Sequence, residues 1–206
     1  MKVLNLYAGI GGNRKLWEDV EVTAIELNPK IASIYKDFFP QDNVIVDDAH
    51  KYLLEHFEEY EFIWASPPCP THSRVAKAGA ISKTGEINYA SYPDMKLYEE
   101  ILLLKHYFKG RWVVENVISF YKPLIRPSEI DSHYYWSNFF IGSISKKCRE
   151  HHGGIKKLQE RKNFDLSNYS GIDKIKTLRN CVEPEVGLHI LNYAKKQEDD
   201  LFKVRS

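Results

Sequence analysis

The sequence has few cysteines and no long apolar run. Its three cysteines, Cys69, Cys148 and Cys181, are an odd number and lie far apart, which argues against a disulfide framework and for a reducing compartment. No segment approaches the about 20 apolar residues of a spanning helix, and the first residues lack the apolar core and cleavage site of a signal peptide. We therefore expect a cytoplasmic protein without membrane contact.

Net charge is nearly absent as well. Lys and Arg number 29 against 28 for Asp and Glu, so any contact with nucleic acid must come from a local patch. Residues 146–162 form such a patch, with seven basic residues against two acidic ones. A solvated surface is the commoner reason for a run of this kind. With 206 residues, 43% of them hydrophobic, the chain can bury the core of one globular domain.

Apolar runs alternate with segments of helical spacing. The runs predict five strands, at residues 2–7, 20–25, 44–46, 62–65 and 111–114. The spacing predicts helices at about 13–17, 29–39, 51–59 and 95–108. An aromatic run at 134–141 predicts a further strand or hairpin. This order predicts an α/β fold with a doubly wound, mostly parallel sheet.

Unusual residues follow four of the predicted strands. They are the glycine-rich residues 9–12, Glu26, Asp48 and the segment 67–69 that ends in Cys69. Because ligands bind at the carboxyl ends of parallel strands, and an acidic residue there suits ribose hydroxyls, the pattern predicts nucleoside binding. Arg14 stands where the dinucleotide pattern has its third glycine, and no Walker lysine follows. Nicotinamide dinucleotides and nucleoside triphosphates are therefore disfavoured.

Two residues have the chemistry of catalytic groups. Cys69 lies between prolines in a predicted loop and is a candidate nucleophile, although a lone cysteine is more often a small apolar filler. Glu115 closes an apolar run, where a carboxylate is costly to bury without a partner. Burial would favour its protonated form and let it donate a proton to a substrate ring, whereas an ordinary strand-end carboxylate would face water.

These residues stand in the order of known motifs, and the sequence resembles the DNA cytosine-5 methyltransferases. The matching segments are 5–12 (NLYAGIGG), 25–27 (IEL), 47–49 (DDA), 66–69 (SPPC), 115–117 (ENV) and 178–182 (LRNCV). The resemblance implies a Rossmann-like fold, S-adenosylmethionine as cofactor with S-adenosylhomocysteine as product, and no metal. Glu26 would hold the ribose hydroxyls and Asp48 the adenine amino group. The implied cofactor contacts are Tyr7, Ala8, Gly9, Ile10, Gly11, Gly12, Glu26, Leu27, Asp48, Ala49, Pro67, Asn180 and Val182.

The resemblance also implies a mechanism. Cys69 would add to carbon 6 of cytosine to activate carbon 5, Glu115 would hydrogen-bond or protonate N3, and Asn116 would position the neighbouring loop. The target base would be flipped out or already single-stranded, because a base stacked inside a duplex cannot reach such a pocket. The loop 71–90 is expected to close over it. The implied substrate contacts are Pro68, Ser73, Arg74, Lys77, Val117, Lys146, Lys147 and Arg149.

The sequence departs from the family pattern at several positions. Pro70 stands where the family often has glutamine, and Arg179 replaces a glycine. His133 and Tyr135 occupy roughly the positions of an expected arginine pair, which leaves the cytosine O2 edge to another residue such as Arg126. About 35 residues separate residue 141 from the last motif, too few for the family's large target-recognition domain. Sequence readout is therefore expected to be short, relaxed or borrowed from a partner protein.

The predicted organisation has three segments. Residues 1–141 form a catalytic and cofactor-binding domain, 142–176 a small basic target-recognition segment, and 177–206 a return to the catalytic domain. Our first hypothesis is a minimal DNA cytosine-5 methyltransferase from a phage or a compact restriction-modification system, acting on double-stranded DNA. One alternative is methylation of cytosine in tRNA or in a free cytidine nucleotide. Another is a catalytically silent, cofactor-binding module that recognises DNA.

Overall fold

Strands and helices alternate through most of the chain in a computed structural model that describes residues 1–74, 92–144 and 154–203. The strands are β1 (Lys2–Leu6), β2 (Glu21–Ile25), β3 (Asn43–Ile45), β4 (Phe62–Ala65), β5 (Arg111–Val117), β6 (Ser128–Ile130) and β7 (His133–Ser137). The helices are α1 (Pro29–Phe38), α2 (Ala49–His56), α3 (Lys96–Tyr107), α4 (Ile155–Lys162), α5 (Lys174–Asn180) and α6 (Pro184–Lys203), and a 3-10 turn covers Phe57–Glu59. None of the described helices has the length and apolar character needed to cross a bilayer.

The described strands form one sheet in the order β3-β2-β1-β4-β5-β7-β6. The first five are parallel to one another, and β7 runs antiparallel between β5 and β6. The sequence prediction of a Rossmann-like, doubly wound and mostly parallel α/β sheet is therefore confirmed. The strand order reverses between β1 and β4, so the loops after these two strands open a crevice at the carboxyl edge of the sheet.

The central strands are buried on both faces, as expected for a parallel sheet covered by helices. Every residue of β4 is fully buried. One face packs on α2 and α3, and the other packs on α6. A third apolar cluster joins α1 to α4 and α5 beside the loop that follows β1. This cluster fixes the C-terminal helices against the first part of the chain.

The predicted helix at 13–17 is wrong. The segment forms successive turns, in which the Lys15 N–H donates to the Gly12 carbonyl at 3.4 Å and the Trp17 N–H to the Arg14 carbonyl at 3.0 Å. A five-residue segment gives too few hydrogen bonds to offset the cost of starting a helix. Side-chain bonds also compete here, because Asn13 pairs with Asn5 of β1.

The predicted end of the fifth strand is also wrong. β5 continues to Val117, so Glu115 and Asn116 lie inside the strand and pair with Tyr135 and Tyr134 of β7. The aromatic run forms part of a hairpin, β6–β7, in which β7 is shorter than the predicted strand at 134–141. The three extra residues of regular strand, 115–117, depend on pairing with β7, which an apolar run alone does not predict. The division into three segments stays a prediction, and α5 crosses its boundary at residue 176.

Candidate functional site

The glycine-rich turn after β1 has three residues with left-handed backbone, Tyr7, Gly9 and Gly11, at φ of 56°, 57° and 84°. A Cβ at Gly9 would meet nothing within 4 Å, whereas one at Gly11 would lie 2.4 Å from the Phe39 ring. At Gly12 a Cβ would lie 2.5 Å from the Val182 carbonyl oxygen. Gly9 therefore faces open space where a ligand can approach, and Gly11 and Gly12 let the turn pack closely on the protein.

The carboxylate of Glu26 holds the open side of this turn. Its Oε2 accepts the Gly9 N–H at 3.0 Å and its Oε1 accepts the Asn28 N–H at 2.9 Å. Leu27 and Val46, which follow β2 and β3, are 68% and 52% exposed. Two exposed apolar side chains next to a fixed carboxylate suit a nucleoside, with a base on the apolar side and a ribose on the charged side. Val46 was not among the cofactor contacts expected from the sequence. Its position directly after the third strand could have indicated it.

Asp48 is the N-cap of α2. Its Oδ1 accepts the N–H groups of Lys51 and His50, and these bonds, with that from Lys51 the largest cause, lower the pKa of Asp48. The residue therefore stays ionised, with Oδ2 outside the cap. Ala49, another implied cofactor contact, is buried as the first residue of α2.

A buried polar network below the turn was not predicted from the sequence either. Glu100 of α3 is fully buried, accepts the hydroxyl of Tyr7 and lies 3.0 Å from Nδ1 of His50. Burial, followed by Glu100, raises the pKa of Tyr7. The hydrogen bond with Glu100 raises the pKa of His50 against the opposing effect of burial. The network ties the turn to both α2 and α3, and no periodicity in the sequence pairs these three residues.

This network predicts a pH-dependent stability. Because the pKa of His50 is raised in the folded state, its contribution is fully present below the ordinary histidine pKa of about 6.5 and is lost as pH rises through the folded value. We expect His50→Gln to lower the free energy of unfolding by about 1–2 kcal/mol at pH 6 and by less at pH 9. Urea unfolding at both pH values measures this, with the exposed His106→Gln as control. An equal loss at both pH values would contradict the assignment.

Arg14, which breaks the dinucleotide pattern, has a structural role. Its guanidinium is buried and donates through Nε and Nη2 to the two carboxylate oxygens of Asp42, at 2.8 and 3.0 Å, and through Nη1 to the Trp17 carbonyl. Tyr35 donates to the same carboxylate. The residue that excludes a dinucleotide pattern therefore anchors the segment after the turn to α1.

The loop that carries Cys69 is held by β5. Asn116 is buried and donates from Nδ2 to the Pro67 carbonyl at 3.0 Å, while its Oδ1 accepts the Val117 N–H. The carbonyl of Cys69 accepts the N–H groups of His72 and Ser73, which folds the loop back after the cysteine. Asn116 thus fastens the loop that carries Cys69 to β5.

A second set of contacts fastens the same loop downstream. His72 is buried, its Nδ1 lies 2.6 Å from the Tyr121 hydroxyl, and its carbonyl accepts the Phe120 N–H. Ser73 forms an isolated β-bridge with Ser119. The cysteine loop is therefore held on both sides of Cys69. Strand β5 holds the part before the cysteine, and the segment after β5 holds the part that follows it.

Cys69 and Glu115 lie close enough to interact electrostatically. Burial raises the pKa of the Cys69 thiol, and the Glu115 carboxylate raises it further, while Lys176 of α5 acts in the opposite direction. Cys181, the other described cysteine, has a pKa of about 12 because of burial, so it stays a thiol. Of the two, Cys69 is the candidate nucleophile, and it must lose its proton when substrate binds.

Glu115 is the buried carboxylate of the site, with 8% of its surface exposed. Its Oε1 lies 3.7 Å from Nε2 of His133, and Tyr135 pairs with it across the sheet. Burial, with Glu115 as the next cause, raises the pKa of Tyr135, so this phenol stays protonated. A buried carboxylate whose charge acts on a nearby thiol has the chemistry for acid-assisted addition of that thiol to a ring.

The other residues expected to contact the cofactor or the substrate differ in how exposed they are. Pro67 is buried, Ser73, Val117 and Val182 are half-buried, and Pro68, Arg74, Arg126 and Asn180 are exposed. The backbone of Val182 packs on the glycine turn at Gly12. Lys77, Lys146, Lys147, Cys148, Arg149 and most of the loop 71–90 lie outside the described residues. Within the described ranges, no group of three His, Cys, Asp or Glu side chains is placed to hold a metal ion.

Comparison with known proteins decides the family. Residues 1–102 match the family model described as C-5 cytosine-specific DNA methylase. The chain belongs to this family. Human tRNA (cytosine(38)-C(5))-methyltransferase is 33% identical to this methylase-family chain over 115 residues, which cover 50% of the chain and 29% of that enzyme. The enzyme of the same description from Spodoptera frugiperda is 30% identical over 83 residues, covering 37% of the chain and 25% of that enzyme.

A solved structure of a DNMT2 variant from Spodoptera frugiperda is 26% identical in sequence to the chain. The match covers 56% of the chain and 35% of that protein, with a TM-score of 0.38. The matched part of the methylase-family chain thus spans less than a third of the length of the human and Spodoptera frugiperda enzymes.

Proposed function

We propose that the chain is an S-adenosylmethionine-dependent methyltransferase that methylates carbon 5 of cytosine in nucleic acid. The observation that carries the proposal is the convergence of Cys69 and Glu115: Asn116, the neighbour of Glu115 on β5, donates a hydrogen bond to the Pro67 carbonyl in the loop that carries Cys69, and the Glu115 carboxylate raises the pKa of the Cys69 thiol. The glycine turn, with its open side at Gly9, follows the strand next to β4. Nucleophile, acid and cofactor site therefore lie around the crevice between β1 and β4.

The residues present fit the proposed cofactor. Glu26 offers fixed carboxylate oxygens for ribose hydroxyls, Leu27 and Val46 offer apolar surface for adenine, and Asp48 keeps an oxygen outside its helix cap for the adenine amino group. The bound cofactor would supply an electrophilic methyl group. The protein would bind its nucleoside part and direct the methyl donor toward carbon 5 of the base.

The cofactor site predicts a specific loss of affinity. Glu26→Gln keeps the size of the side chain but removes a charge-assisted acceptor for ribose hydroxyls, which contributes about 1.5–3 kcal/mol. We expect the Kd for S-adenosylhomocysteine to rise about 10- to 100-fold, as measured by calorimetric titration. Glu21→Gln is the matched control, because Glu21 is exposed at the opposite end of the same strand. An unchanged Kd for Glu26→Gln would contradict the assignment.

The chemistry follows from the poor nucleophilicity of carbon 5. Cys69 adds as a thiolate to carbon 6, and Glu115 hydrogen-bonds or protonates N3, so that electron density reaches carbon 5. Asn116 keeps the cysteine loop on β5 during this addition. After methyl transfer the proton on carbon 5 leaves to a base that the sequence and the described residues do not name, and Cys69 is eliminated. A stacked base must be flipped out to reach this site.

Double-stranded DNA is the substrate that we propose first. The matching family model is that of a DNA methylase, which supports this choice. Exposed basic side chains are available for phosphates on α4 (Lys156 and Lys157) and on α5 (Lys176 and Arg179). The helix α4 lies within residues 142–176, where target recognition was expected from the sequence, and α5 begins in that stretch and ends beyond it. A compact recognition segment favours relaxed sequence readout, or readout supplied by a partner protein.

Transfer RNA is a second candidate, favoured by a different observation. The human and Spodoptera frugiperda relatives are described as tRNA (cytosine(38)-C(5))-methyltransferases. Both candidates use the same chemistry and differ in the nucleic acid that carries the cytosine.

One experiment tests the proposal and separates the candidates. The purified chain is incubated with tritiated S-adenosylmethionine and, in parallel, with duplex DNA, total tRNA and dCMP. Incorporation of label as 5-methylcytosine in DNA is expected, and label in tRNA alone would select the second candidate. Oligonucleotides that contain 5-fluorocytosine trap the covalent intermediate. Absence of both label and adduct with every substrate would overturn the proposed function.

A further inference from the structure

The fully buried carboxyl group of Glu100 lies on a helix face that is otherwise apolar. Leu97, Ile101 and Leu104 of α3 are buried against the strands of the sheet. Glu100 follows Leu97 by three residues and precedes Leu104 by four, which places it on the same face of the helix. A carboxyl group is costly to bury unless it is hydrogen-bonded. Apolar packing alone therefore does not explain a glutamate at this position.

Only one of the two carboxyl oxygens of Glu100 is used. Oε1 accepts the hydroxyl of Tyr7 and lies 3.0 Å from Nδ1 of His50. Oε2 is buried and has no hydrogen-bond partner among the described residues. Burial, followed by the interaction with Glu100, raises the pKa of Tyr7, so the hydroxyl keeps the proton that it donates. The link between α3 and Tyr7 therefore depends on the acceptor oxygen Oε1.

This hydrogen bond holds a residue whose backbone is strained. Tyr7 has a φ of 56°, in the left-handed region that is costly for a bulky side chain. The residues after it are fixed to the neighbouring strand: the Ala8 N–H donates to the Ile25 carbonyl at 3.0 Å, and the Gly9 N–H donates to Oε2 of Glu26 at 3.0 Å. The conformation of Tyr7 therefore determines how the open side of the turn lies against the Glu26 carboxylate.

The remaining contacts of the Tyr7 ring are apolar. The ring is half-buried and packs on the cluster that joins the sheet to α2 and α3. Apolar packing has no preferred direction, whereas a hydrogen bond requires a defined distance and angle. The hydroxyl of Tyr7 is thus the part of the side chain that fixes its orientation.

We propose that Glu100 is a positioning residue for the cofactor, because through the Tyr7 hydroxyl it keeps the turn after β1 in the conformation that binds S-adenosylmethionine. This inference rests on the proposed function. Without the hydrogen bond, Tyr7 can leave the left-handed region, and only a fraction of the molecules then has the binding conformation. The apparent Kd rises by the inverse of that fraction. Since one hydrogen bond changes an equilibrium constant about tenfold, we expect a loss of affinity of about that size.

The test uses variants of the two partners. Tyr7→Phe removes the donor, Glu100→Leu removes the acceptor, and the double variant removes both. Because the same hydrogen bond is lost each time, we expect the Kd for S-adenosylhomocysteine to rise about tenfold in all three, with no further rise in the double variant. Glu100→Gln keeps an acceptor oxygen for the hydroxyl and should bind with the wild-type Kd. It should be less stable, because its buried amide N–H groups lie where Oε2 has no partner.

Tyr52→Phe is the matched control. The Tyr52 hydroxyl of α2 lies 3.1 Å from that of Tyr60, which precedes β4 at the amino edge of the sheet. This variant also loses a hydroxyl contact, so it should lose stability in urea unfolding and keep the wild-type Kd. In steady-state methyl transfer, Tyr7→Phe should raise the KM for S-adenosylmethionine with little change in kcat. That split is expected when ground-state and transition-state binding are weakened equally.

Calorimetric titration with S-adenosylhomocysteine gives the decisive result. If Tyr7→Phe and Glu100→Leu keep the Kd of an active wild type, the role of Glu100 is overturned and the proposed function stands. The same conclusion follows if Glu100→Gln loses as much affinity as Glu100→Leu, because the Kd would then follow stability and not the acceptor oxygen. Should Glu100→Leu not fold, Tyr7→Phe and Glu100→Gln supply the comparison. If the wild type neither binds S-adenosylhomocysteine nor methylates any substrate, the proposed function fails, and the role of Glu100 fails with it.

Discussion

Replacement of Cys69 by serine is expected to lower methyl transfer by at least about 10⁴-fold and to abolish the covalent adduct with 5-fluorocytosine nucleic acid. Serine has nearly the same size, but its hydroxyl does not ionise at the pH of the reaction and cannot add to carbon 6. The loop should keep its shape, because Asn116 holds it through the Pro67 carbonyl and the turn after residue 69 uses backbone atoms.

The Cys69 experiment compares three proteins. Wild type, Cys69→Ser and Cys69→Ala are assayed for product, for adduct and for binding of S-adenosylhomocysteine, with His106→Gln as the activity control. We expect equal cofactor binding in all of them, because Cys69 belongs to the substrate side of the crevice. An adduct that persists in Cys69→Ser would show that another group is the nucleophile. Cys181, whose pKa is raised to about 12, is not a replacement for it.

Glu115→Gln is expected to change two rates in opposite directions. Methyl transfer should fall about 10²- to 10⁴-fold, the range for loss of a general acid. Alkylation of Cys69 at neutral pH should become faster, because the Glu115 carboxylate raises the pKa of that thiol. Removing the negative charge lowers the pKa, so a larger fraction of the cysteine is thiolate at a given pH.

Iodoacetamide labelling from pH 6 to 10, with the product at Cys69 identified by mass spectrometry, measures the second rate. Burial, the larger cause of the raised pKa, is unchanged in the variant, so the labelling midpoint should move only part of the way toward that of a free thiol. Glu129→Gln, at an exposed position on β6, is the matched control and should change neither rate. If labelling of Cys69 is the same in Glu115→Gln and wild type, the two side chains do not share one space.

The local sequence was sufficient for the strands of the parallel sheet and for the order of the site motifs. β4 is a short, wholly apolar run bounded by polar residues and prolines, and the structure has it at Phe62–Ala65, as predicted. The glycine turn was also readable, because left-handed backbone and close approach need residues without a side chain. Which glycine faces open space was not predictable from the sequence, since it depends on Phe39, which follows α1, and on Val182 near the other end of the chain.

The electrostatic environment of the site could not be predicted without the tertiary structure. Residues 115 and 133 are brought together by antiparallel pairing of β5 and β7, and Lys176 reaches the surroundings of Cys69 from a C-terminal helix. The network of Tyr7, His50 and Glu100 joins three elements that no spacing relates. By itself the sequence determined which chemical groups stand at the ends of the strands, because backbone preference and side-chain periodicity are local. Only the tertiary structure decided which of those groups face each other, because burial and charge interactions act through space.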